Sequence, residues 1–371
     1  HWPLMAWGLL WWFGSGLIEV DVFVETAYQL NTSLFFMTLS LFVVSLLARF
    51  LNWKAAEFPP VLLLPIMYLA CFIHVITYPA RNLLSEYGFI SWITAFMIQM
   101  LVLYRCEWIW NKRLLSIWHA FTLYLYIFIC CLVLSNFIEY LLPDSHVWRD
   151  IIWGVIPAFG VLKAIYLRDR LAWPVMDYLH SYVGKAQLPV IIYLGLWVIL
   201  ACFNVGDPGP LPYLPVLNPL ELTQFFSLIM ILNWCLLIKR GEIIAFDLQK
   251  PALAYSAIGL VGFIWINSIV AHSVHFYADI RFDGDILLAS DIFQTSISIV
   301  WTLTAFSLMW FATKNQARSL WFVGATLLGF VVIKLFIIDL AESDTVTHII
   351  SFMSVGILML IIVYFSPVPP K

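Results

Sequence analysis

A chain of 371 residues that is 63% hydrophobic and 17% aromatic, with 11% charged side chains and a mean hydropathy of +0.93, excludes a soluble globular domain; such domains carry roughly 25% charged residues. A formal net charge of -3 leaves no basic patch to neutralise phosphates, so no nucleic-acid partner is expected. The six cysteines show no CxxC spacing and lie mostly within apolar runs, where a thiol behaves as a small hydrophobe, so neither a disulfide framework nor a metal site is expected.

The chain opens at His1, and Trp2 to Ile18 is already a spanning run without a basic n-region or a small-residue cleavage site. The sequence therefore reads as the C-terminal part of a longer protein. About 20 apolar residues cross the hydrocarbon core as a helix. Twelve runs meet that criterion, near 2 to 18, 34 to 51, 60 to 78, 88 to 104, 116 to 137, 151 to 167, 188 to 204, 220 to 238, 252 to 274, 291 to 312, 320 to 340 and 348 to 366. Backbone groups in lipid must be satisfied within the segment, and no stretch alternates as a barrel strand does. The expectation is an all-α polytopic transmembrane helix bundle of about twelve spans, a single transmembrane domain over 1–371.

Two stretches depart from plain helical hairpins. Residues 168–187 mix Trp173, Met176, Tyr178, Leu179 and Tyr182 with charges, which suits an amphipathic segment at a membrane interface. The loop Gly206 to Pro219 carries five prolines that fix φ and remove donors, so it should form a stiff turn and not a helix.

Charge alternates between the gaps. Fourteen of the 19 Lys and Arg residues, from Arg49 and Lys54 to Arg318 and Lys371, fall in or beside every second gap. The other gaps hold only Arg81, Arg149 and Arg281 but sixteen of the 22 acids. Basic residues near span ends are retained in the cytoplasm, which puts both ends of this chain on that side. The two sides are called here the basic and the acidic end.

The run GDPGPLPYLPVLNPLEL at 206 to 222 is followed by HSVHFYADIRF at 272 to 282, then Gln294 and Trp301, RSLWFVGATLLGFVVIKLFIIDL at 318 to 340 and HIISFMSVGILMLIIVYFSPVPPK at 348 to 371. From residue 190 onward this order resembles the C-terminal part of the bacterial multi-pass membrane family known as domain of unknown function 2339. Where the family pattern has Arg before the histidine motif, this chain has His272. The resemblance implies a longer parent protein in a bacterial inner membrane. It brings no established activity, and hence no catalytic residues, cofactor or protein partner to carry over.

Ionisable groups within spans are costly and suggest function by default. Most here lie toward the acidic end: Asn136 and Glu139, Asp207, Glu221 and Gln224, His272 and His275, Asp291 and Gln294, Lys334 and Asp339, and His348. The plain alternative is that each sits at headgroup level and is solvated. His272, His275 and Asp279 share one helical face at i, i+3, i+7; without the glutamate of HExxH they predict hydrogen-bonded histidines and not a metal site. Lys334 lies roughly 9 Å from the end of its span, within or near snorkelling reach, and otherwise meets a carboxylate or an anionic headgroup. Lys163 reads as a snorkelling anchor. Glu19 and Asp21 stand where polyprenyl-dependent glycosyltransferases place acidic residues, but at a short and common spacing.

These residues support an enzyme that modifies a cell-envelope lipid or lipid-linked glycan at the acidic face. In that reading His275, Asp291 and Lys334 are catalytic, and Asp207, Glu221, Gln294 and Asp339 bind substrate. A transporter or flippase would need ionisable groups through both leaflets, and the halves of the spans at the basic end are nearly free of charge. A scaffold packing its aromatic surface on partner helices is the third reading. The lipid bilayer is the one partner common to all three.

Overall fold

The computed structural model describes residues 2–143, 145–242 and 251–334, with isolated positions beyond. In chain order the helices are α1 Trp2–Phe23, α2 Thr26–Phe50, α3 Leu63–Thr77, α4 Gly88–Cys106, α5 Lys112–Leu141, α6 His146–Leu167, the short α7 Leu179–Tyr182, α8 Leu188–Ala201, α9 Pro219–Lys239, α10 Pro251–Ala278, the short α11 Gly284–Leu288, α12 Asp291–Lys314 and α13 Arg318–Lys334. No strand occurs among the described residues. The architecture is the expected polytopic helix bundle.

Nine of the described helical stretches are long and apolar enough to cross a membrane, against the twelve that the sequence predicts. The difference is local. α1 is a helix over the expected first span but is not one of the nine stretches. α13 is described as far as Lys334, and the rest of its expected span and the run from 348 to 366 lie outside the described residues apart from isolated positions. The nine stretches bury only 17% to 61% of their most apolar windows against protein. What remains is apolar surface such as Phe72, Ile76, Ile93 and Met97, for which lipid is the fitting solvent.

Caps and prolines explain several helix ends. Asn111 accepts from the Arg113 N–H to start α5, and Asn218 accepts from the Leu220 N–H ahead of Pro219 to start α9. Prolines inside helices leave the carbonyl four residues earlier without its helical donor, and another helix supplies one. Pro65 stands in the first turn of α3, and the Val61 carbonyl in the 3-10 turn before it accepts from Trp118 Nε1 of α5 at 3.2 Å. Pro157 in α6 strands the Trp153 carbonyl, which accepts from the Tyr193 hydroxyl of α8 at 3.0 Å.

The chain divides into two compact units, His1–Trp265 and Ile266–Lys371, with the boundary inside α10. In the first, α2 packs on α3 and α4, α5 on α6, and α6 on α8 and α9. Its core is built from fully buried Leu63, Met67, Leu103, Leu115, Leu125 and Leu194. Loops that the charge pattern assigns to one side are bonded to one another. At the acidic end, Asn136 Nδ2 donates to the Arg81 carbonyl and Trp148 Nε1 to the Gly209 carbonyl. At the basic end, Arg168 Nη1 donates to Glu242 Oε2 and the Tyr178 hydroxyl to Glu107 Oε1, both at 2.9 Å.

In the second unit, α12 and α13 approach closely at Gly324, where a Cβ would meet the Ala305 carbonyl and Met309. Val270, Ala271 and Val274 of α10 share an apolar cluster with Phe293 and Ile297 of α12. Trp301 Nε1 donates to Asn267 Oδ1 at 2.7 Å across the same pair.

Candidate functional site

Of the expected substrate-binding residues in the first unit, Glu221 is fully buried in the first turn of α9 and is spent on the proline-rich loop. Its Oε1 accepts from the Tyr213 hydroxyl at 2.8 Å and its Oε2 from the Val216 N–H at 2.5 Å. Val216 has a φ of 68°, a left-handed conformation that is costly for a β-branched residue, and the carboxylate helps to hold it there. Asp207 is exposed and accepts from the Gly209 N–H at 3.0 Å as a turn residue. Gln224 donates to the Val198 carbonyl and to Cys202 Sγ. Asn136 is tied to the turn before α4, and Glu139 pairs with Arg149 at 3.3 Å.

Beside that loop, α6 and α8 leave an open cleft of about 430 Å³, a size usual for small-ligand sites. Its walls are apolar, from Leu196, Trp197, Leu200, Ala201 and Leu220. Tyr193 and Trp153 line one end, joined by the bond that satisfies the carbonyl stranded by Pro157. Asp150 and Asn204 line the other, joined by Asn204 Nδ2 donating to Asp150 Oδ2 at 3.0 Å. Gly154 makes room for the Trp197 ring, since a Cβ there would overlap it. From Tyr193 to Ala201 the wall is roughly 12 Å long at the helical rise, close to one leaflet of the ~30 Å hydrocarbon core.

At the basic end, the stretch 168–187 folds Val175, Tyr178, Tyr182, Val183 and Gln187 out of solvent. His119 of α5, fully buried, stacks on Tyr178 at 4.1 Å and its Nδ1 lies 2.8 Å from the Tyr182 hydroxyl. Trp173 meets the same imidazole edge-on at 6.0 Å. His119 Nε2, Trp173 Nε1 and Gln187 Oε1 have no hydrogen-bond partner among the described residues, and neither has Gln99 Oε1, whose amide donates to Thr122 one turn along α5. Outside the spans, burial pushes the Tyr178 phenol up, with the Glu107 carboxylate adding to the effect. The Arg168 guanidinium holds the exposed Asp169 carboxyl below the usual carboxylate range. Nothing in the charge pattern flagged this cluster, because its members are a lone histidine, tyrosines and amides within or beside apolar runs.

The second unit brings most of its expected residues to one end. Lys334 Nζ donates to the Gln294 carbonyl at 3.0 Å and to Ser298 Oγ at 2.7 Å, so Lys334 and Gln294 are direct neighbours. The Gln294 amide itself turns back to the Leu288 carbonyl at 2.7 Å. Asp291 is exposed in the first turn of the same helix. His275 Nδ1 lies 2.7 Å from the Ile280 carbonyl; a carbonyl only accepts, so Nδ1 carries the proton and Nε2 keeps its lone pair in the neutral ring. His272 is fully buried and stacked on Phe282 at 5.1 Å, while Asp279 is exposed at a φ of 54°. Asp339 and His348 lie outside the described residues. Among the described residues no three His, Cys, Asp or Glu side chains gather as a metal site.

Residues 1–369 match the family model described as predicted membrane protein (DUF2339). The match covers essentially the whole chain and not only the half from residue 190 that carries the recognisable motifs. No curated protein and no solved structure matches.

Proposed function

The chain belongs to the family of predicted membrane proteins designated DUF2339, and from that premise we propose that it binds and modifies an envelope lipid or lipid-linked glycan at the acidic end of its bundle, in a bacterial inner membrane with both ends of the chain cytoplasmic. The observation that carries this reading is the cleft between α6 and α8. It is apolar along its length and polar at Asp150 and Asn204, as an amphiphile with one chain in the leaflet requires. In the second unit, Lys334 beside Gln294 is the cation suited to an anionic oxygen, and His275, with its Nε2 lone pair, is suited to accept a proton. Asp291, in the same end turn of α12 as Gln294, is assigned the second proton-carrying role.

The test is photocrosslinking of a phospholipid that carries a photoreactive acyl chain. Labelling should concentrate in Tyr193 to Ala201 and fall several-fold in Leu196→Trp, which fills the cleft. Labelling spread evenly over the exposed faces of α3 and α4 overturns the reading. For the chemistry, His275→Ala or Asp291→Ala should alter the cellular lipid or lipid-linked glycan profile at unchanged protein level; equal loss of protein would point to folding.

A further inference from the structure

The polar end of the cleft has its own charge arrangement. Asp150 stands beside Arg149, whose Nε is 3.6 Å from Asp150 Oδ1 and whose Nη1 is 3.3 Å from Glu139 Oε1. One cation thus lies between two carboxylates, and all three side chains are between a third and a half exposed. Asn204 holds the other oxygen of Asp150 without neutralising it. Of these three only Asp150 lines the cleft; Arg149 and Glu139 continue the charged cluster beside it, which is net negative with one guanidinium.

We propose that the lipid seated in the cleft is a zwitterionic phospholipid with a primary amine, its ammonium on Asp150 and Glu139 and its phosphate on Arg149. This deepens the reading of the cleft given above and rests on it. A guanidinium matches a phosphate in geometry as well as charge. A primary ammonium brings three N–H donors to the carboxylates, whereas a quaternary ammonium has none. An anionic headgroup without an amine would satisfy Arg149 but leave Asp150 and Glu139 facing like charge. The chemistry therefore ranks an ethanolamine-type headgroup above a choline type, and a choline type above a glycerol type.

The experiment uses the full chain, purified and exposed to equal amounts of phosphatidylethanolamine, phosphatidylcholine and phosphatidylglycerol with identical acyl chains, with retained lipid read by native mass spectrometry. The wild type should retain the ethanolamine lipid roughly tenfold over the glycerol lipid, the scale of one charge-assisted hydrogen bond. Asp150→Asn keeps its place beside Asn204 and should erase the preference for ethanolamine over choline while lipid is still bound. Arg149→Gln should lower retention of all three alike. If the wild type holds lipid with no headgroup order, or Asp150→Asn keeps the order, the headgroup assignment fails and the cleft reading stands. If Leu196→Trp leaves retention of all three unchanged, the cleft itself is wrong and both fall.

Discussion

The proline-rich loop at the acidic end and the stretch 168–187 at the basic end both fold polar side chains into the first unit, and they do so to opposite effect. Glu221 is fully buried, and both of its oxygens are used, by Tyr213 and by the Val216 N–H. His119 is equally buried, yet its Nε2 has no partner among the described residues, and Trp173 Nε1 and Gln187 Oε1 close by are in the same position. Burying a charge demands that its hydrogen bonds be completed, and the loop is the means of completing them. A neutral amide, indole or imidazole tolerates a missing bond at lower cost. A conspicuous acid is therefore tied into structure here, while the incompletely bonded polar groups are uncharged residues that no charge count would single out.

The largest effect should come from Glu221→Ala, which leaves the Tyr213 hydroxyl and the Val216 N–H without their acceptor and releases a strained backbone. A loss of about 3 kcal/mol is expected, read as a fall in thermal midpoint of the purified protein. A change below about 1 kcal/mol would mean that the loop is held by its prolines alone, and the contrast would collapse.

Packing extends the same comparison to the cleft wall. Gly154→Leu drives a side chain into the Trp197 ring, and overpacking of this kind costs about 1–3 kcal/mol. It should also reduce lipid crosslinking at Tyr193 to Ala201. Full stability with unchanged crosslinking would show that Trp197 can move aside freely.

Two carbonyls near prolines sharpen the point about completion, since each accepts from a side chain of a different helix. Tyr193→Phe removes the donor to the Trp153 carbonyl, and Trp118→Phe removes the donor to the Val61 carbonyl. Each should cost about 1 kcal/mol, at the upper part of what such bonds contribute within membranes. In a Pro157→Ala background the backbone N–H returns, so the cost of Tyr193→Phe should fall to near zero. An unchanged cost there would assign the hydroxyl some other role.

The sequence made much of this legible, and the part it hid has a physical reason. Apolar run length marked out α2 to α6 and α8 to α10, because a helix crossing lipid must be about 20 apolar residues long. Five prolines identified the loop before α9. The carbonyl stranded by Pro157 was not legible in this way, because its partner, Tyr193, is 40 positions from the Trp153 carbonyl it serves and lies on another helix. Lys334 and Gln294 were singled out separately, and only the packing of α13 on α12 makes them neighbours. The cleft was missed because its walls are ordinary span residues; Asp150 and Asn204 gain meaning only once α6 and α8 are side by side. The His119 cluster was missed for a related reason, as a histidine seven residues inside α5 carries no charge signal.

The smallest net effect is expected of a double variant, and it is the most discriminating. In His119→Phe alone, the Tyr182 hydroxyl loses its partner at 2.8 Å in a buried setting, and a loss of about 1–2 kcal/mol should follow. Adding Tyr182→Phe removes the second member of the pair, and replacing both partners by apolar groups of similar shape is close to neutral. The double variant also deletes the unpartnered Nε2 and keeps a ring to stack on Tyr178. Its stability should therefore return to within about 1 kcal/mol of the wild type, whereas pairing Glu221→Ala with Tyr213→Phe should recover far less, because the Val216 N–H stays unsatisfied. If the His119 and Tyr182 double variant is instead as unstable as Glu221→Ala, the cluster is a completed network whose remaining partners are waters, and the two ends of the unit are alike in kind.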